Sequence, residues 1–453
     1  MPRTAWLVLP LVCACQFVVI LDASIVNVAL PSIRRDLGFT PTGLAWVVDA
    51  YLLTLAGFML LGGRAADLAG RRRLLAGGVL LFALASLAAG LAPTAGVLVA
   101  ARAVQGLGAA LLAPATLAVI NTAFTAGAAR ARAFGAWSAA GGVGGMAGAL
   151  AGGALTTALS WRWVFLVNVP IGAALVAAAF AALPGDRPGR RERLDVLGAV
   201  TGTAGLAALI YGVMRGHGGT VAAGLGLLAV FAVVEWRVAA APMLPLRLLA
   251  RRGPAAADAM LLLFGAAAIG LWYFSSLLLQ NVLGYSALRA GLGQTPAAVL
   301  FVVVAHWAAV LLPRLGPRVL VLCGSVCLTA GFAWLSRAGT GYLAGVLGPT
   351  LLVAAGIGLV FPTLMAAATA GVPEGDAGTA GGLASTASQA GSSIGLALLA
   401  TVGGFDRVFV AAAGIGVVLA VASTLLPRRE NAGAGVGGGS GDASAGLQPR
   451  RVA

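Results

Sequence analysis

The chain has 453 residues, of which 60% are hydrophobic and 9% charged, and its mean hydropathy is +0.98. A water-soluble domain carries about 25% charged residues, so this chain lacks the polar groups to cover a folded surface in water, and a bilayer is its expected solvent. The net charge of +15 comes from 29 basic residues, all arginine. They sit in short clusters between apolar runs, with no basic domain or basic-aromatic face, which argues against nucleic acid as a partner.

A helix needs about 20 apolar residues to cross the hydrocarbon, and that rule predicts fourteen spans. The first six cover 5–30, 44–62, 74–92, 95–124, 134–158 and 163–183. No small-residue cleavage site follows the first run, so it is expected to stay as a span rather than leave as a signal peptide. After a basic connector that includes Arg190–Arg193, two more are expected over 197–214 and 221–238. The last six cover 255–279, 291–312, 319–335, 347–370, 377–402 and 408–426. The Gly/Ser-rich segment after Arg429 reads as a disordered tail.

With a cytoplasmic N-terminus, seven arginines fall in outer loops and Arg102 inside a span, which leaves 21 of the 29 on the cytoplasmic side. That threefold bias orients the chain with both termini inside. The layout divides into a six-helix bundle over 1–186, a connector with two inserted helices over 187–253, a second six-helix bundle over 254–427, and the tail over 428–453. A weak internal echo relates the bundles: GGRAADLAGRRRLL follows span 2 and PRLGPRVL follows span 10. The fold class is therefore an all-α, polytopic membrane protein of two bundles, a layout common among secondary transporters.

Polar residues inside such spans are the candidate functional groups, because a charge at the bilayer centre costs about 2.5–3.5 kcal/mol even on insertion scales. Asp22 interrupts the first span in LDASIVNVALP, and Arg102 is the lone arginine within a span. Each lies about eight residues below the outer end of its helix, roughly 10–13 Å at 1.5 Å per residue, so the two are expected to pair. They serve either as a titrating site for protons or as a static ion pair fixing the helices. Asp49, near the outer end of span 2, is a second candidate carboxylate or a hydrated surface group. Gln16 and Asn27 share a face of span 1 and either line a cavity or bond a neighbouring helix. Ser385, Ser388, Gln389 and Ser392 form a polar stripe on span 13. The single intramembrane histidine, His306, reads as a hydrogen-bonded core residue. The cysteines Cys13, Cys15, Cys323 and Cys327 lack metal spacing and read as small buried hydrophobes. Trp46, Trp161, Trp163 and Tyr342 are expected to anchor span ends at the interface.

Taken together, LDASIVNVALPSI, WVVDAYLL, GGRAADLAGRRR, RAVQGLGAA, GMAGALAGGAL, WRWVFLVNVPIG, LQNVLGYSALRAGL and GLASTASQAGSSIGLALLA resemble the fourteen-span drug/proton antiporters of the major facilitator superfamily, over about residues 5–427. The resemblance implies proton-driven efflux of hydrophobic or amphiphilic drugs or secondary metabolites by a monomer in a bacterial cell membrane. The proton gradient is then the energy source, and no cofactor or metal is expected. Asp22, Arg102 and Asp49 become the proton-coupling candidates, with Gln16, Asn27, Gln105, Ser385, Gln389 and Ser392 lining the substrate cavity. Gly63, Asp67, Gly70, Arg71 and Arg72 become a gating loop between spans 2 and 3. Gly141, Gly145, Gly148, Gly152 and Gly153 become a packing surface on span 5 that shifts during transport. The chain departs from the family pattern where Ala149 follows Gly148 in place of proline, and where Leu68 follows Asp67 in place of arginine. A nutrient importer on the same fold is the alternative, but it calls for more sugar-binding polar groups than these spans carry. An enzyme is not expected, since no H-E-x-x-H, G-x-S-x-G or phosphate loop is present.

Overall fold

Every element is helical among the residues that the computed structural model describes, which are 5–124, 128–185, 196–238, 251–337, 341–372 and 377–427. In a bilayer this is the economical solution, because a helix satisfies its own backbone where no water can. The connector arginines Arg190–Arg193 and the tail after Pro427 lie outside the described residues.

The first bundle contains α1 (Ala5–Leu37), the short α2 (Pro41–Leu44), α3 (Trp46–Ala69), α4 (Arg71–Gly90), α5 (Ala95–Ala123), α6 (Ala128–Ala158), the short α7 (Trp163–Leu166) and α8 (Asn168–Ala182). Then come α9 (Val196–Arg215) and α10 (Gly218–Val233), which ends in a π turn at Val234–Val238. The second bundle contains α11 (Arg252–Asn281), α12 (Ala287–Leu335), α13 (Gly348–Thr369) behind a π turn at Leu343–Leu347, α14 (Ala377–Val402) and α15 (Phe405–Ala422). Ten helices among the described residues are long and apolar enough to cross a membrane. That criterion does not reproduce the count of fourteen. One reason is that spans 10 and 11, expected as separate helices, run together as the 49-residue α12, more than twice the length one crossing needs.

The junction inside α12 is Gly316, at φ 77° and ψ 163°. The link between α3 and α4 is Gly70, at φ 89° and ψ 143°. Both conformations are left-handed in φ and open to glycine without steric cost. The internal echo in sequence is thus a matched bend in the two bundles. Gly63, expected to help make the first of these turns, instead lies inside α3, and Gly70 makes the turn alone. The first helix also runs past its expected end at residue 30 to Leu37.

The bends at Gly70 and Gly316 mark one end of the molecule, called here the lower end. The turns after α1, α6, α11 and α14 mark the upper end. Thr40 caps α2 by accepting from Gly43 N at 3.0 Å, with Pro41 at the first helical position, and Ser286 caps α12 through Arg289 N at 3.3 Å. Large apolar side chains such as Leu84, Leu225, Val303 and Val417 stand about half exposed on the outer faces, as expected where lipid is the neighbour. Of the four cysteines only Cys15 is buried, and Cys323 is exposed, so the expectation of four buried thiols is corrected. Trp161 is not an interface anchor: it is buried, and its Nε1 donates to Asp36 at 2.9 Å.

Candidate functional site

Four helices of the first bundle bring polar side chains to one fully buried point, and α3 adds a backbone carbonyl and an aromatic ring. Arg102 on α5 donates through Nη1 to Asp22 Oδ2 on α1 at 2.6 Å. Gln105, one turn along α5, donates through Nε2 to Asp22 Oδ1 at 2.8 Å and to Ser86 Oγ on α4 at 2.6 Å. Its own Oε1 accepts from Arg102 Nη1 at 2.6 Å. Asn168, the first residue of α8, donates through Nδ2 to Asp22 Oδ1 at 2.8 Å and lies 3.3 Å from Ser86 Oγ. Arg102 also reaches α3, where Nε donates to Val47 O at 2.9 Å and the guanidinium lies 4.3 Å from the Tyr51 ring centroid. The Phe165 ring of α7 is 5.8 Å away.

The chemistry of this cluster follows from its count of partners. The Asp22 carboxylate receives three hydrogen bonds and faces one guanidinium, so the site is neutral overall and its charges are satisfied. A buried ion pair stands only when such extra bonds offset desolvation, and charge-assisted bonds contribute about 1.5–3 kcal/mol each. Gln105 therefore does not line a cavity as expected; it is fully buried and bridges acid, base and Ser86. Sequence reasoning missed Ser86 and Asn168. Asn168 stood in the quoted string WRWVFLVNVPIG, where an amide at the start of an apolar helix was the available signal.

The position of α1 is set by α6. A Cβ on Gly148 would lie 2.6 Å from Leu21 O and 2.8 Å from Ser24 Cβ, and one on Gly152 would lie 2.6 Å from Ile25 O. Ser24 Oγ donates to Gly145 O at 2.7 Å across the same contact. Glycine is what lets the two backbones meet there, next to Asp22. Gly153 does not belong to this face: a Cβ on it would meet Ala287 O and Leu288 Cα of α12, each at 2.7 Å. The helix runs unbroken through Ala149.

Asp49 occupies a different place. It is wholly buried, not the hydrated surface group its position near a span end allowed. Ser393 of α14 donates to its Oδ1 at 3.1 Å, and its Oδ2 has no hydrogen-bond partner. The contact joins the two bundles near the upper end. Two more joins lie beside it. Pro31 removes the amide that would bond Asn27 O within α1, and Ser276 Oγ of α11 donates to that carbonyl at 2.9 Å. Gln280 Nε2 donates to the neighbouring Val28 O at 2.9 Å. On the far side of the molecule, Leu288 N of α12 donates to Thr157 Oγ1 of α6 at 3.2 Å. The upper end is closed by these contacts.

The other expected residues are scattered. Asn27 is buried with Nδ2 on Ala23 O, while Gln16, Ser385 and Gln389 are half-buried. Ser392 packs α14 on α11 rather than lining a cavity, since its hydroxyl lies 3.2 Å from Gly265 O and 3.1 Å from Ser388 O. Arg72 stacks on Phe180 of α8 at 5.3 Å. The surroundings of Gly63 and of the Asp67 side chain lie outside what is described.

A polytopic all-helical chain of two bundles that meet at one end, with a buried ion pair inside the first, defines a membrane transporter rather than an enzyme. The Major Facilitator Superfamily model matches residues 12–396, and the chain belongs to that family. It is 44% identical over 415 residues to the cephamycin export protein CmcT of Amycolatopsis lactamdurans, covering 88% of this chain and 85% of the relative. It is 40% identical over 415 residues to the puromycin resistance protein pur8 of Streptomyces alboniger, with 88% and 82% covered. Among solved structures, that of a D-xylose–proton symporter superposes with a TM-score of 0.71 at 15% identity, covering 94% of this chain and 98% of the other. That likeness speaks for the fold alone.

Proposed function

We propose that the protein exports hydrophobic or amphiphilic antibiotics from a bacterial cell in exchange for protons, as a multi-pass carrier with both termini in the cytoplasm. The roles of the similar proteins, cephamycin export and puromycin resistance, support the direction and the substrate class. In this orientation the closed upper end faces outward, and the molecule is poised to receive substrate from inside.

The observation that carries the coupling half of the proposal is Asp22, an intramembrane carboxylate held by Arg102, Gln105 and Asn168. An ionisable group at that depth is expensive, and such groups mark proton relays in transporters. Exchange runs when protonation loosens Asp22 from Arg102 and deprotonation restores the pair. No nucleotide-binding motif is present in the sequence, which leaves the proton gradient as the energy source.

The test is purified protein in liposomes with an imposed proton gradient, assayed for uphill movement of puromycin and a cephamycin. Wild type accumulates at least one of them. Asp22→Asn keeps an amide on Arg102 and still binds, but equilibrates the drug without accumulation. Folded Asp22→Asn pumping uphill at the wild-type rate would remove Asp22 from the coupling step.

A further inference from the structure

The two oxygens of Asp22 face different partners. Oδ2 receives Arg102 Nη1 at 2.6 Å, while Oδ1 receives the amides of Gln105 and Asn168, each through nitrogen at 2.8 Å. A proton arriving on this carboxylate is accommodated on Oδ1, away from the guanidinium. There it makes a new donor, O–H, directed at two amide nitrogens that are donors too. Asp22, Gln105, Asn168 and Ser86 are all fully buried, and a buried hydroxyl without an acceptor is costly. The protonated acid is stable in place only if one of the two amides presents its oxygen.

Gln105 is locked. Its Oε1 accepts from Arg102 Nη1 at 2.6 Å, and its Nε2 donates to Ser86 Oγ at 2.6 Å. Turning that amide over would set its nitrogen against the guanidinium, donor against donor. Asn168 is free to turn. Its Oδ1 is a buried acceptor with no hydrogen-bond partner among the described residues. It opens α8, and Pro170, two residues on, has no amide hydrogen to offer a local bond. Its Nδ2 lies 2.8 Å from Asp22 Oδ1 and 3.3 Å from Ser86 Oγ. A half-turn about the Cβ–Cγ bond exchanges nitrogen and oxygen with little change of shape. The oxygen then stands where Asp22 O–H and the Ser86 hydroxyl can both donate to it, and the turn breaks no bond of Oδ1.

From this asymmetry we infer that Asn168 holds the coupling proton on Asp22, facing the ionised acid with its amide nitrogen and turning over to accept from the protonated acid with its oxygen. The inference rests on the reading of Asp22 as the coupling site. The proton binds Oδ1 and no other covalent bond changes. Arg102 keeps Oδ2, now the carbonyl oxygen of a neutral acid and a weaker partner, so the ion pair slackens while the proton stays. Asn168 is thus a positioning residue, and an amide suits the task because it offers a donor and an acceptor at one point without a charge. The charged and titratable groups that face Asp22 among the described residues are Arg102 of α5 and Tyr51 of α3, whose hydroxyl lies 3.5 Å from Val19 O. Helices α4, α6, α7 and α8 present Ser86, Gly148, Phe165 and Asn168. Neither an arginine nor a tyrosine changes charge between neutral and acid pH, so a protonation there belongs to Asp22.

The experiment is infrared difference spectroscopy, acid minus neutral pH, on the full chain in lipid with asparagine carrying carbon-13 at the side-chain carbonyl. Wild type is expected to gain a carboxylic-acid band at a hydrogen-bonded frequency, together with an asparagine carbonyl band that moves to lower frequency as it gains donors. Both changes are expected to vanish in Asp22→Asn. In Asn168→Leu the asparagine shift is expected to vanish while the acid band moves to higher frequency, because its O–H has lost its acceptor. Proton-driven drug accumulation in liposomes falls about tenfold in that variant, as the loss of one hydrogen bond worth about 1.4 kcal/mol would make it. If Asn168→Leu does not fold, the wild-type and Asp22→Asn spectra decide alone. An Asp22 acid band with no asparagine shift, or full accumulation by folded Asn168→Leu, would overturn the inference and leave the coupling reading standing. Absence of any acid band that depends on Asp22 would overturn both.

Discussion

Gly148 is the position where packing and chemistry meet, and a graded alanine series along α6 tests that connection. Alanine at 148 places a Cβ 2.6 Å from Leu21 O, whereas ordinary contact begins near 3.4 Å, so α1 must retreat by about 0.8 Å. The obstacle is backbone and cannot rotate away. Overpacking of this kind costs about 1–3 kcal/mol, against about 1 kcal/mol regained from replacing glycine inside a helix. Leu21 precedes Asp22, so the retreat also stretches hydrogen bonds now at 2.6–2.8 Å toward the limit of useful geometry. Net destabilisation of about 2 kcal/mol is expected, together with a large loss of transport. On the same face, Gly145→Ala would stand 3.6 Å from Ile20 Cγ2, an ordinary contact, and is expected to be neutral or stabilising. Gly141→Ala is tight only against the end of the Gln16 side chain, at 3.2 Å, with Gln16 Cγ and Ile20 Cγ1 at ordinary contact, and should be nearly neutral. Thermal unfolding of the purified variants and initial rates of drug uptake in liposomes measure both effects. Equal behaviour of the three variants would refute the reasoning, because of the three glycines only Gly148 faces a backbone.

Arg102→Lys is expected to fold poorly and lose more than about tenfold in transport rate, since a single ammonium cannot serve Asp22, Gln105 and Val47 O together; melting temperature and uptake rate measure it. Asp49→Asn keeps an acceptor for Ser393 while removing the charge, so it is expected to hold the upper end closed and slow turnover, with binding from the lower side retained; distances between spin labels on the turns after α1 and α11 report the closure. Reporter fusions at Gly189 and Gly218 are expected to give opposite sidedness, and the same readout at both would show that α9 does not cross the membrane and end the fourteen-span map.

Charges were legible in the sequence because a membrane tolerates so few of them. Asp22 and Arg102 stood out singly, and equal depth along their helices was enough to predict the pairing now measured at 2.6 Å. Ser86 was not legible, since a hydroxyl in a helix can bond its own backbone and calls for no distant partner, and Asn168 gave only the weak signal of an amide at a helix start. The sequence left the burial of Asp49 open. Depth along a helix counts residues from its end, but what covers a side chain is decided by the neighbour, here α14 of the other bundle. The glycine stripe on α6 was legible as a small-residue face. That Gly153 serves the opposite bundle was not, because one turn of a helix serves two neighbours and spacing alone does not assign them. The merging of two spans into α12 escaped for a related reason: the proline and arginine run 313–318 reads as a loop, yet only Gly316 leaves helical geometry.

The hydrogen bonds in the two parts of the molecule differ in kind, and that difference bears on which part moves. Inside the first bundle three charge-assisted bonds converge on Asp22, and the network around them ties together α1, α3, α4, α5 and α8, so the bundle resists deformation about that point. Between the bundles, four hydrogen bonds stand among the described residues, and none is an ion pair: Ser276 to Asn27 O, Gln280 to Val28 O, Leu288 N to Thr157, and Ser393 to Asp49. Bonds between helices in a membrane average about 0.6 kcal/mol, so together these contribute roughly 2.4 kcal/mol. One elementary charge crossing a potential of 100 mV releases about 2.3 kcal/mol. The two figures match in scale, so in the proposed exchange the free energy of a single proton is comparable with that of these four hydrogen bonds. Of the four, the Asp49–Ser393 bond is the one whose character a proton changes directly, because it alone has a carboxylate as acceptor. A carrier built this way keeps its costly charge network rigid and places its separable contacts where the halves part.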